Sequence, residues 1–215
     1  MACVSTAVLV SGRGSNLQAL FDAAKDPAYP AEISVVISNE PDAPAIDLAA
    51  ANGADVALVP HREQPSRWAF ETMLQTHILE SGCTLVCLAG FMRILSPAFV
   101  AAWPGRLLNI HPSLLPAFPG LDTHRRALEA GVAEAGCSVH FVTDELDGGP
   151  IIAQAAVPVL PDDSADSLAT RVLQAEHRLY PHCLALVASG AVRLEDGLVV
   201  GRPATSDQGF RYPST

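Results

Sequence analysis

The feature that most constrains the fold of this chain is a repeated alternation along its first half. An apolar run rich in β-branched residues meets a Gly, Pro or Asn break, and an Ala-rich amphipathic segment follows before the next apolar run. This order is typical of βαβ units, in which helices connect parallel strands. Because the apolar runs are almost continuously hydrophobic, we expect strands that are buried on both faces of a largely parallel sheet.

The alternation predicts where the strands and helices lie. Expected strands cover residues 3–10, 33–37, 55–59, 85–89 and 107–110. Expected helices cover residues 16–24, 43–51, 66–80, 97–102, 123–130 and 167–189. Ser66 and Ser96 stand at the starts of two helices and are expected to act as N-caps.

After Gly131 the pattern changes to two extended runs, residues 138–142 and 151–159, which a polar segment joins. A hairpin there would make the sheet mixed. Residues 191–202 predict a second, small hairpin with its turn at Asp196 and Gly197. The expected architecture is α/β, a single-domain, doubly wound, mostly parallel mixed sheet with helices on both faces over residues 1–203. Residues 204–215 are expected to form a poorly ordered tail.

The charge of the chain limits its partners. Its 13 Lys and Arg stand against 23 Asp and Glu, and the net charge of −10 gives no general attraction to a nucleic-acid backbone. A phosphate group would therefore have to be bound locally. The N-terminal apolar run lacks a basic leader, and no apolar segment approaches the roughly 20 residues needed to span a bilayer. We therefore expect a cytoplasmic protein that binds neither nucleic acid nor membrane.

The cysteines are odd in number and lie mostly in apolar runs: Cys3, Cys83, Cys87, Cys137 and Cys183. A disulfide scaffold would be smaller and denser in cysteine, so reduced thiols are expected. Cys83 and Cys87 suggest half of a metal site, but the second pair of ligands is missing. No metal is expected.

A Gly-rich loop, Ser11-Gly12-Arg13-Gly14-Ser15-Asn16, connects the first expected strand to the first expected helix. Its glycines permit close approach of the backbone, and the N–H groups at a helix start suit a phosphate. The loop lacks the Lys-Ser/Thr of a P-loop and the third Gly of a dinucleotide fingerprint, which favours a monophosphate. The residues alone equally allow a tight turn in which Ser15 or Asn16 caps the helix.

A second candidate site, Asn109-Ile110-His111-Pro112, lies at the end of the fifth expected strand. Pro112 biases His111 towards an extended conformation, so the side chains of Asn109 and His111 are expected on one face of the strand. A carboxamide donor beside a titratable imidazole suits acyl transfer. The alternative is a structural, hydrogen-bonded histidine before a turn.

The acidic segment Asp144-Glu145-Leu146-Asp147-Gly148-Gly149-Pro150 joins the two runs of the predicted hairpin. Its glycines allow a tight turn beside a ligand, and one of its carboxylates could reach His111. Such a partner would orient the imidazole and favour its protonated form. The alternative is an ordinary solvated hairpin turn.

Three strings resemble the glycinamide ribonucleotide formyltransferases: Gly90-Phe91-Met92-Arg93-Ile94-Leu95-Ser96, residues 109–120 and residues 138–150. The resemblance extends over nearly the whole chain, from the Ser-Gly-x-Gly-Ser-Asn loop to Glu176-His177-x-x-Tyr180-Pro181. It implies the formyltransferase fold, with a Rossmann-like N-terminal half. By this resemblance the catalytic residues are Asn109, His111 and Asp147.

The resemblance also implies two groups of binding residues. The ribonucleotide would be bound by Gly12, Gly14, Ser15, Asn16, Pro112 and Glu176. The folate would be bound by apolar side chains and backbone groups of Arg67, Met92, Arg93, Ile94, Leu95, Asn109, Val142, Thr143, Asp144 and Asp147.

The implied activity is transfer of the formyl group of 10-formyltetrahydrofolate, a co-substrate, to the amine of 5'-phosphoribosylglycinamide in de novo purine biosynthesis. The products would be formylglycinamide ribonucleotide and tetrahydrofolate, and the protein would act as a monomer or homodimer without a metal. The alternatives are a formyltetrahydrofolate hydrolase, another folate-dependent formyltransferase, and a non-catalytic folate- or nucleotide-binding module. A nicotinamide-dependent oxidoreductase has only the incomplete Gly motif in its favour. The acidity of the chain disfavours a tRNA substrate.

The other six histidines are expected to be structural or surface residues. They are His61, His77, His124, His140, His177 and His182. Of these, His140 is the one expected to support the site. Arg125 and Arg126 are expected on a solvated helix face.

Overall fold

The computed structural model describes residues 3–201 and 209–213 of the chain. The chain forms two compact units, Met1–Leu108 and Asn109–Thr215. The predicted domain boundary at residue 203 lies outside the described residues, as do residues 204–208 and 214–215 of the predicted tail. The assignment of a single domain stays a prediction.

The first unit alternates strands and helices, as the sequence pattern predicts. Its elements are β1 (Val4–Val10), α1 (Ser15–Ala24), β2 (Ala31–Ser38), α2 (Ala45–Ala51), β3 (Asp55–Leu58), α3 (Arg67–Glu80), β4 (Leu85–Leu88) and α4 (Pro97–Ala101). Each predicted element of this unit is confirmed, and no bound differs from its predicted position by more than two residues.

The strands of the first unit are ordered β3-β2-β1-β4. β1 pairs in parallel with β2 and with β4, and β2 pairs in parallel with β3. The order therefore changes direction between β1 and β4, which is where doubly wound sheets bind ligands beside the carboxyl ends of their strands. Ala7, Val8, Leu9 and Val10 of β1 are completely buried, which explains the uninterrupted apolar run.

Two helices of the first unit begin at serine N-caps. Ser66 Oγ accepts a hydrogen bond from the backbone N–H of Ala69 at 3.1 Å. Ser96 Oγ accepts one from the backbone N–H of Phe99 at 3.2 Å. Both predicted caps are confirmed, and such a cap typically contributes about 1 kcal/mol to stability.

The second unit starts within β5 (Leu107–His111) and continues through two helices and two hairpins. Its other elements are α5 (Thr123–Glu129), β6 (Glu134–Phe141), β7 (Ile151–Pro158), α6 (Ala165–Ala188), β8 (Val192–Glu195) and β9 (Leu198–Gly201). The strands of its larger sheet are ordered β5-β6-β7, with β6 and β7 antiparallel. The predicted α/β class with a mostly parallel, mixed sheet is confirmed.

The start of β6 was predicted wrongly. The sequence pattern places it at residue 138, whereas the strand begins at Glu134. Gly136 weakens a strand by propensity, but a Cβ there would lie 2.0 Å from the carbonyl oxygen of Ala155 on β7. The close approach of the two strands therefore requires glycine. The small hairpin of β8 and β9 is confirmed, and its turn residues Asp196 and Gly197 both have positive φ, 49° and 78°.

The described part of the C-terminal segment, residues 209–213, lies beside β7. Arg211 and Gln154 exchange two backbone hydrogen bonds of 2.8 Å each, which form an isolated bridge. The Arg211 guanidinium also binds the Glu134 carboxylate at 2.9 Å. Strand β7 of the β6–β7 hairpin thus pairs with Arg211 of the C-terminal segment.

The cysteines and the helices of the chain agree with two further expectations. All five cysteines are free, as predicted for reduced thiols. Within the part of the chain that the structure describes, no helix is both long enough and apolar enough to cross a membrane.

Several histidines of the second unit lie in surroundings that disfavour their charged form. Burial lowers the pKa of each, because a buried imidazolium loses its hydration. These histidines are His124, His140, His177 and His182.

We expect the two glycines of the β6–β7 turn to differ sharply in their tolerance of a methyl group. A Cβ at Gly149 would lie 1.8 Å from the backbone oxygen of Phe141, whereas one at Gly148 would lie 2.4 Å from the flexible side chain of Glu145. Gly149→Ala should lower the free energy of unfolding by about 1–3 kcal/mol, and the matched Gly148→Ala should lower it much less. Urea denaturation followed by circular dichroism measures both, and equal losses would contradict this assignment.

We also expect mild acid to destabilise the fold. The four lowered histidine pKa values mean that, below the ordinary value of about 6.5, the unfolded chain binds protons that the folded chain does not. The free energy of unfolding should therefore fall between about pH 7 and pH 5, by at most about 1.4 kcal/mol per pH unit for each proton. His177→Gln should make the decline shallower in urea denaturation across this range. Constant or rising stability on acidification would refute the prediction.

Candidate active site

Polar side chains connect strand ends within the first unit. Ser11, after β1, donates from Oγ to Asn39 Oδ1 at 2.5 Å and accepts a hydrogen bond from the backbone N–H of Met92 at 2.8 Å. Asn39, after β2, has its Nδ2 3.1 Å from Nδ1 of His61, which follows β3. Sequence reasoning missed Asn39 and His61 as parts of this edge. For Asn39, the available signal was a polar residue directly after a mostly buried strand.

The Gly-rich loop turns into α1 through Gly14. Gly14 has a φ of 79°, and a Cβ there would lie 2.9 Å from Cβ of Ala45 at the start of α2. Both the conformation and the packing therefore require glycine. Gly14 is itself the N-cap, and no side chain caps α1, so the alternative with Ser15 or Asn16 as the cap is wrong. A Cβ at Gly12 would meet open space.

Two side chains of α3 bind the backbone of residues 94–96, next to the predicted folate residues Met92 and Arg93. Arg67 Nη2 donates to the backbone oxygen of Ile94 at 2.8 Å. One turn later, the buried Glu71 accepts hydrogen bonds from the backbone N–H of Ser96, at 2.7 Å, and from Ser96 Oγ. The sequence analysis did not identify Glu71. These contacts fix the backbone of residues 94–96.

The side chains of this segment differ in exposure. Met92 and Ile94 are 67% and 61% exposed, and Arg93 is exposed as well. Leu95 is buried. Two large apolar side chains therefore present surface that a flat, partly apolar ligand can cover.

In the second unit, the buried His111 lies between two hydrogen-bond acceptors. Its Nδ1 is 3.4 Å from Asp147 Oδ2, and its Nε2 donates to the backbone oxygen of Phe118 at 3.0 Å. A neutral imidazole has only one N–H, whereas the cation has two. The protonated ring is therefore the form that satisfies both neighbours. The structure brings together His111 and Asp147, which the sequence separates by 36 residues.

Backbone conformation places the Asp147 carboxylate. Asp147 has a φ of 52°, and its Oδ2 accepts a hydrogen bond from the backbone N–H of Gly120 at 2.8 Å. Gly120 itself has a φ of 77°. Two segments with left-handed residues thus meet at the carboxylate that faces His111.

His140 orients the carboxamide of Asn109. Its Nδ1 donates to the backbone oxygen of Phe141 at 2.9 Å, which leaves Nε2 to accept a hydrogen bond from Asn109 Nδ2 at 3.2 Å. Burial is the main cause that lowers the pKa of His140, and the positive charge of His111 acts in the same direction. A neutral His140 fits this arrangement, and its contact with Asn109 agrees with the supporting role expected for it.

The other predicted site residues of the second unit lie on several elements. Glu176 is buried on α6. The pKa of the Cys137 thiol is raised mainly because the thiol is buried, and the negative charge of Glu176 raises it further. Pro112 follows β5 and is half-buried, as are Val142 and Thr143 after β6. Asp144 is exposed.

The two neighbouring arginines of α5 differ from each other. Arg125 is exposed and donates from Nη2 to Asp122 Oδ2 at 2.7 Å, as expected for a solvated helix face. Arg126 is half-buried, so it lies only partly on such a face. Its guanidinium donates to the backbone oxygens of Pro119 and Leu121. A periodicity pattern cannot reveal backbone acceptors that a neighbouring loop presents.

The second unit therefore combines an amide donor, an imidazole and a carboxylate. Such a group can stabilise negative charge that develops on a carbonyl oxygen and can hold a proton nearby. Among residues 3–201 and 209–213, no three His, Cys, Asp or Glu side chains are grouped in a way that would hold a metal ion.

Comparisons with known proteins agree with this chemistry. The family model described as formyl transferase matches residues 4–184. The chain is 49% identical over 189 residues to the phosphoribosylglycinamide formyltransferase of Escherichia coli strain K12, covering 88% of this chain and 89% of that protein. A crystal structure of glycinamide ribonucleotide transformylase 1 from Symbiobacterium toebii has a TM-score of 0.90 at 46% identity, covering 94% of this chain and 95% of that one.

Longer relatives contain a similar region. The chain is 51% identical over 189 residues to the trifunctional purine biosynthetic protein adenosine-3 of Drosophila pseudoobscura pseudoobscura, covering 87% of this chain. It spans only 14% of the length of that relative and 19% of the bovine protein of the same name. Since the family model matches most of the chain and a similar protein aligns along nearly its whole length, this chain belongs to the formyl transferase family.

Proposed function

We propose that the protein transfers the formyl group of 10-formyltetrahydrofolate to the amine of 5'-phosphoribosylglycinamide, in purine biosynthesis. The observation that carries the proposal is the buried His111, held between the Asp147 carboxylate and the Phe118 carbonyl on the strand that also bears Asn109. The name of the Escherichia coli relative supports this choice of acceptor. The products are formylglycinamide ribonucleotide and tetrahydrofolate.

The reaction moves one acyl group between two nitrogens. The substrate amine attacks the formyl carbon, a C–N bond forms, and the carbonyl oxygen becomes negatively charged in a tetrahedral intermediate. On collapse, the bond from the formyl carbon to the folate nitrogen breaks, and that nitrogen receives the proton that the amine loses. The protein must therefore stabilise an oxyanion and direct one proton.

Asn109 supplies a donor for the oxyanion. Its Nδ2 carries two hydrogens, of which one is directed to His140 Nε2 in this structure. The second is available for the formyl oxygen. A single donor of this kind typically contributes about a hundred- to a thousandfold to the rate.

His111 supplies positive charge to the same site. Both of its ring nitrogens face protein acceptors in this structure. Its positive charge can therefore act on the oxyanion through space. Its Nε2–H can bind the oxyanion directly only after it gives up the hydrogen bond to Phe118. Asp147 pairs with the ring and can organise a water that carries the proton to the folate nitrogen. Proton transfer by a positioned group is usually worth about a hundred- to ten-thousandfold.

The binding residues are assigned by resemblance and by their exposure. We assign the ribonucleotide to Gly12, Gly14, Ser15 and Asn16 of the first unit and to Pro112 and Glu176 of the second. The open space beside Gly12 supports close approach of a phosphate to the backbone. We assign the folate to the segment that contains the exposed Met92 and Ile94, together with Arg67, Arg93, Leu95, Asn109, Val142, Thr143, Asp144 and Asp147.

We expect formyl transfer only when both substrates are present. Purified protein incubated with 10-formyltetrahydrofolate and 5'-phosphoribosylglycinamide should produce tetrahydrofolate and formylglycinamide ribonucleotide, which chromatography separates. Omission of the ribonucleotide should abolish consumption of the folate. Release of formate without the ribonucleotide would instead assign a hydrolase, and binding without turnover would assign a non-catalytic module.

We expect His111→Ala and Asp147→Asn to nearly abolish transfer, because the first removes the imidazole that faces the oxyanion and the second removes the carboxylate that pairs with this imidazole. Both variants should remain folded and bind the ribonucleotide, as circular dichroism and calorimetry would show. The matched control is Glu145→Gln, an exposed carboxylate of the same turn, which should retain turnover. More than roughly a tenth of the wild-type turnover in either His111→Ala or Asp147→Asn would contradict the assignment, since loss of one such group costs about a hundredfold or more.

A further inference from the structure

The segment Phe118–Gly120 holds both members of the His111–Asp147 pair. The backbone oxygen of Phe118 accepts the hydrogen bond from His111 Nε2 at 3.0 Å. Two residues later, the backbone N–H of Gly120 donates to Asp147 Oδ2 at 2.8 Å. The distance and angle between the imidazole and the carboxylate therefore depend on the conformation of this short segment.

The conformation of the segment is unfavourable by itself. Phe118 has a φ of 53°, and Asp122, which follows closely, has a φ of 57°. The left-handed region is disfavoured for any residue with a Cβ, and most of all for bulky side chains. Such a segment keeps its shape only where contacts from elsewhere hold it.

Arg126 provides those contacts from one turn into α5. Its Nη1 donates to the backbone oxygen of Pro119 at 2.5 Å and to that of Leu121 at 3.2 Å. The same guanidinium lies over the ring of Phe118, with Cζ 5.6 Å from the ring centroid. One planar cation thus contacts the residues on both sides of Gly120 and the aromatic side chain at the strained position.

We propose that Arg126 is a positioning residue for the formyl transfer reaction, which acts through the Phe118–Gly120 segment on His111 and Asp147. The inference rests on the proposed function for its effect on rate, but its effect on the His111 ring can be measured independently. Arg126 takes no part in the contacts of the His111 imidazole and the Asp147 carboxylate described above. It binds the oxygen of the peptide group that carries the Gly120 N–H, and it lies over the side chain of Phe118, whose oxygen faces His111.

The neighbouring Arg125 is a matched control. It lies on the same helix and carries the same charge, but its described partners are the exposed carboxylates of Asp122, at 2.7 Å, and Glu129, at 3.9 Å. Removal of either arginine changes the net charge equally. A difference between the two variants therefore reports the contacts of Arg126 rather than its charge.

The first measurement compares steady-state kinetics of the wild type, Arg126→Ala and Arg125→Ala with both substrates. Arg126→Ala should lower kcat by roughly 10- to 100-fold, the scale expected when reacting groups are misplaced by about 1 Å, with little change in either KM. Arg125→Ala should match the wild type. Arg126→Lys should fall between them, because an ammonium keeps the charge but cannot bridge two carbonyls while it lies flat on a ring.

The second measurement follows the His111 ring in the substrate-free protein by nitrogen NMR of labelled histidine, assigned with His111→Ala. The Nε2–H signal should shift and exchange faster with water in Arg126→Ala but not in Arg125→Ala. If the wild type transfers no formyl group, the proposed function fails, and this comparison still decides whether Arg126 holds the ring. Unchanged His111 signals in Arg126→Ala, or equal kcat losses in the two alanine variants, would overturn the inference.

Discussion

The second unit of this protein is organised around an imidazole whose two nitrogens both face acceptors. His111 meets the Asp147 carboxylate at Nδ1 and the Phe118 carbonyl at Nε2, and it is buried. A buried cation is costly unless it is paired and hydrogen-bonded, so both acceptors must stay in place. The β6–β7 turn carries one acceptor and the segment after β5 carries the other. The positive φ values of Phe118 and Asp147 are consistent with this demand, because each lies at one of the two acceptors.

A second buried histidine shows why the partners, rather than burial alone, select the charge state. His140 has one acceptor, the oxygen of Phe141, and one donor, the amide of Asn109. A neutral ring satisfies both, and burial together with the charge of His111 lowers its pKa. Neighbouring imidazoles thus take different tasks, since His140 orients the Asn109 amide and His111 faces the carboxylate. Separation of protonation states by environment is a general route to acid–base chemistry near neutral pH.

The sequence predicts the elements well because their cause is local. Continuous apolar runs specify buried parallel strands, as with residues 7–10 of β1, and serines before helices specify caps, as with Ser66 and Ser96. The failures have tertiary causes. Gly136 lies within β6 because Ala155 approaches it, and Gly14 takes the capping position because Ala45 leaves no room for a side chain. Neither neighbour is close in sequence, so no local pattern contains the information.

The same limit applies to the site. Asn109, His111 and Asp147 are visible as motif residues, because the chemistry acts through their side chains. The groups that hold them are mostly backbone atoms, such as the oxygen of Phe118 and the N–H of Gly120. Every residue type offers such an oxygen, and every type but proline offers such an N–H. Side chains that act on such backbone groups leave no motif, and Arg126 is of this kind, since its hydrogen bonds go to carbonyl oxygens. A family motif therefore describes the reacting groups, whereas their alignment depends on contacts that only a three-dimensional structure contains.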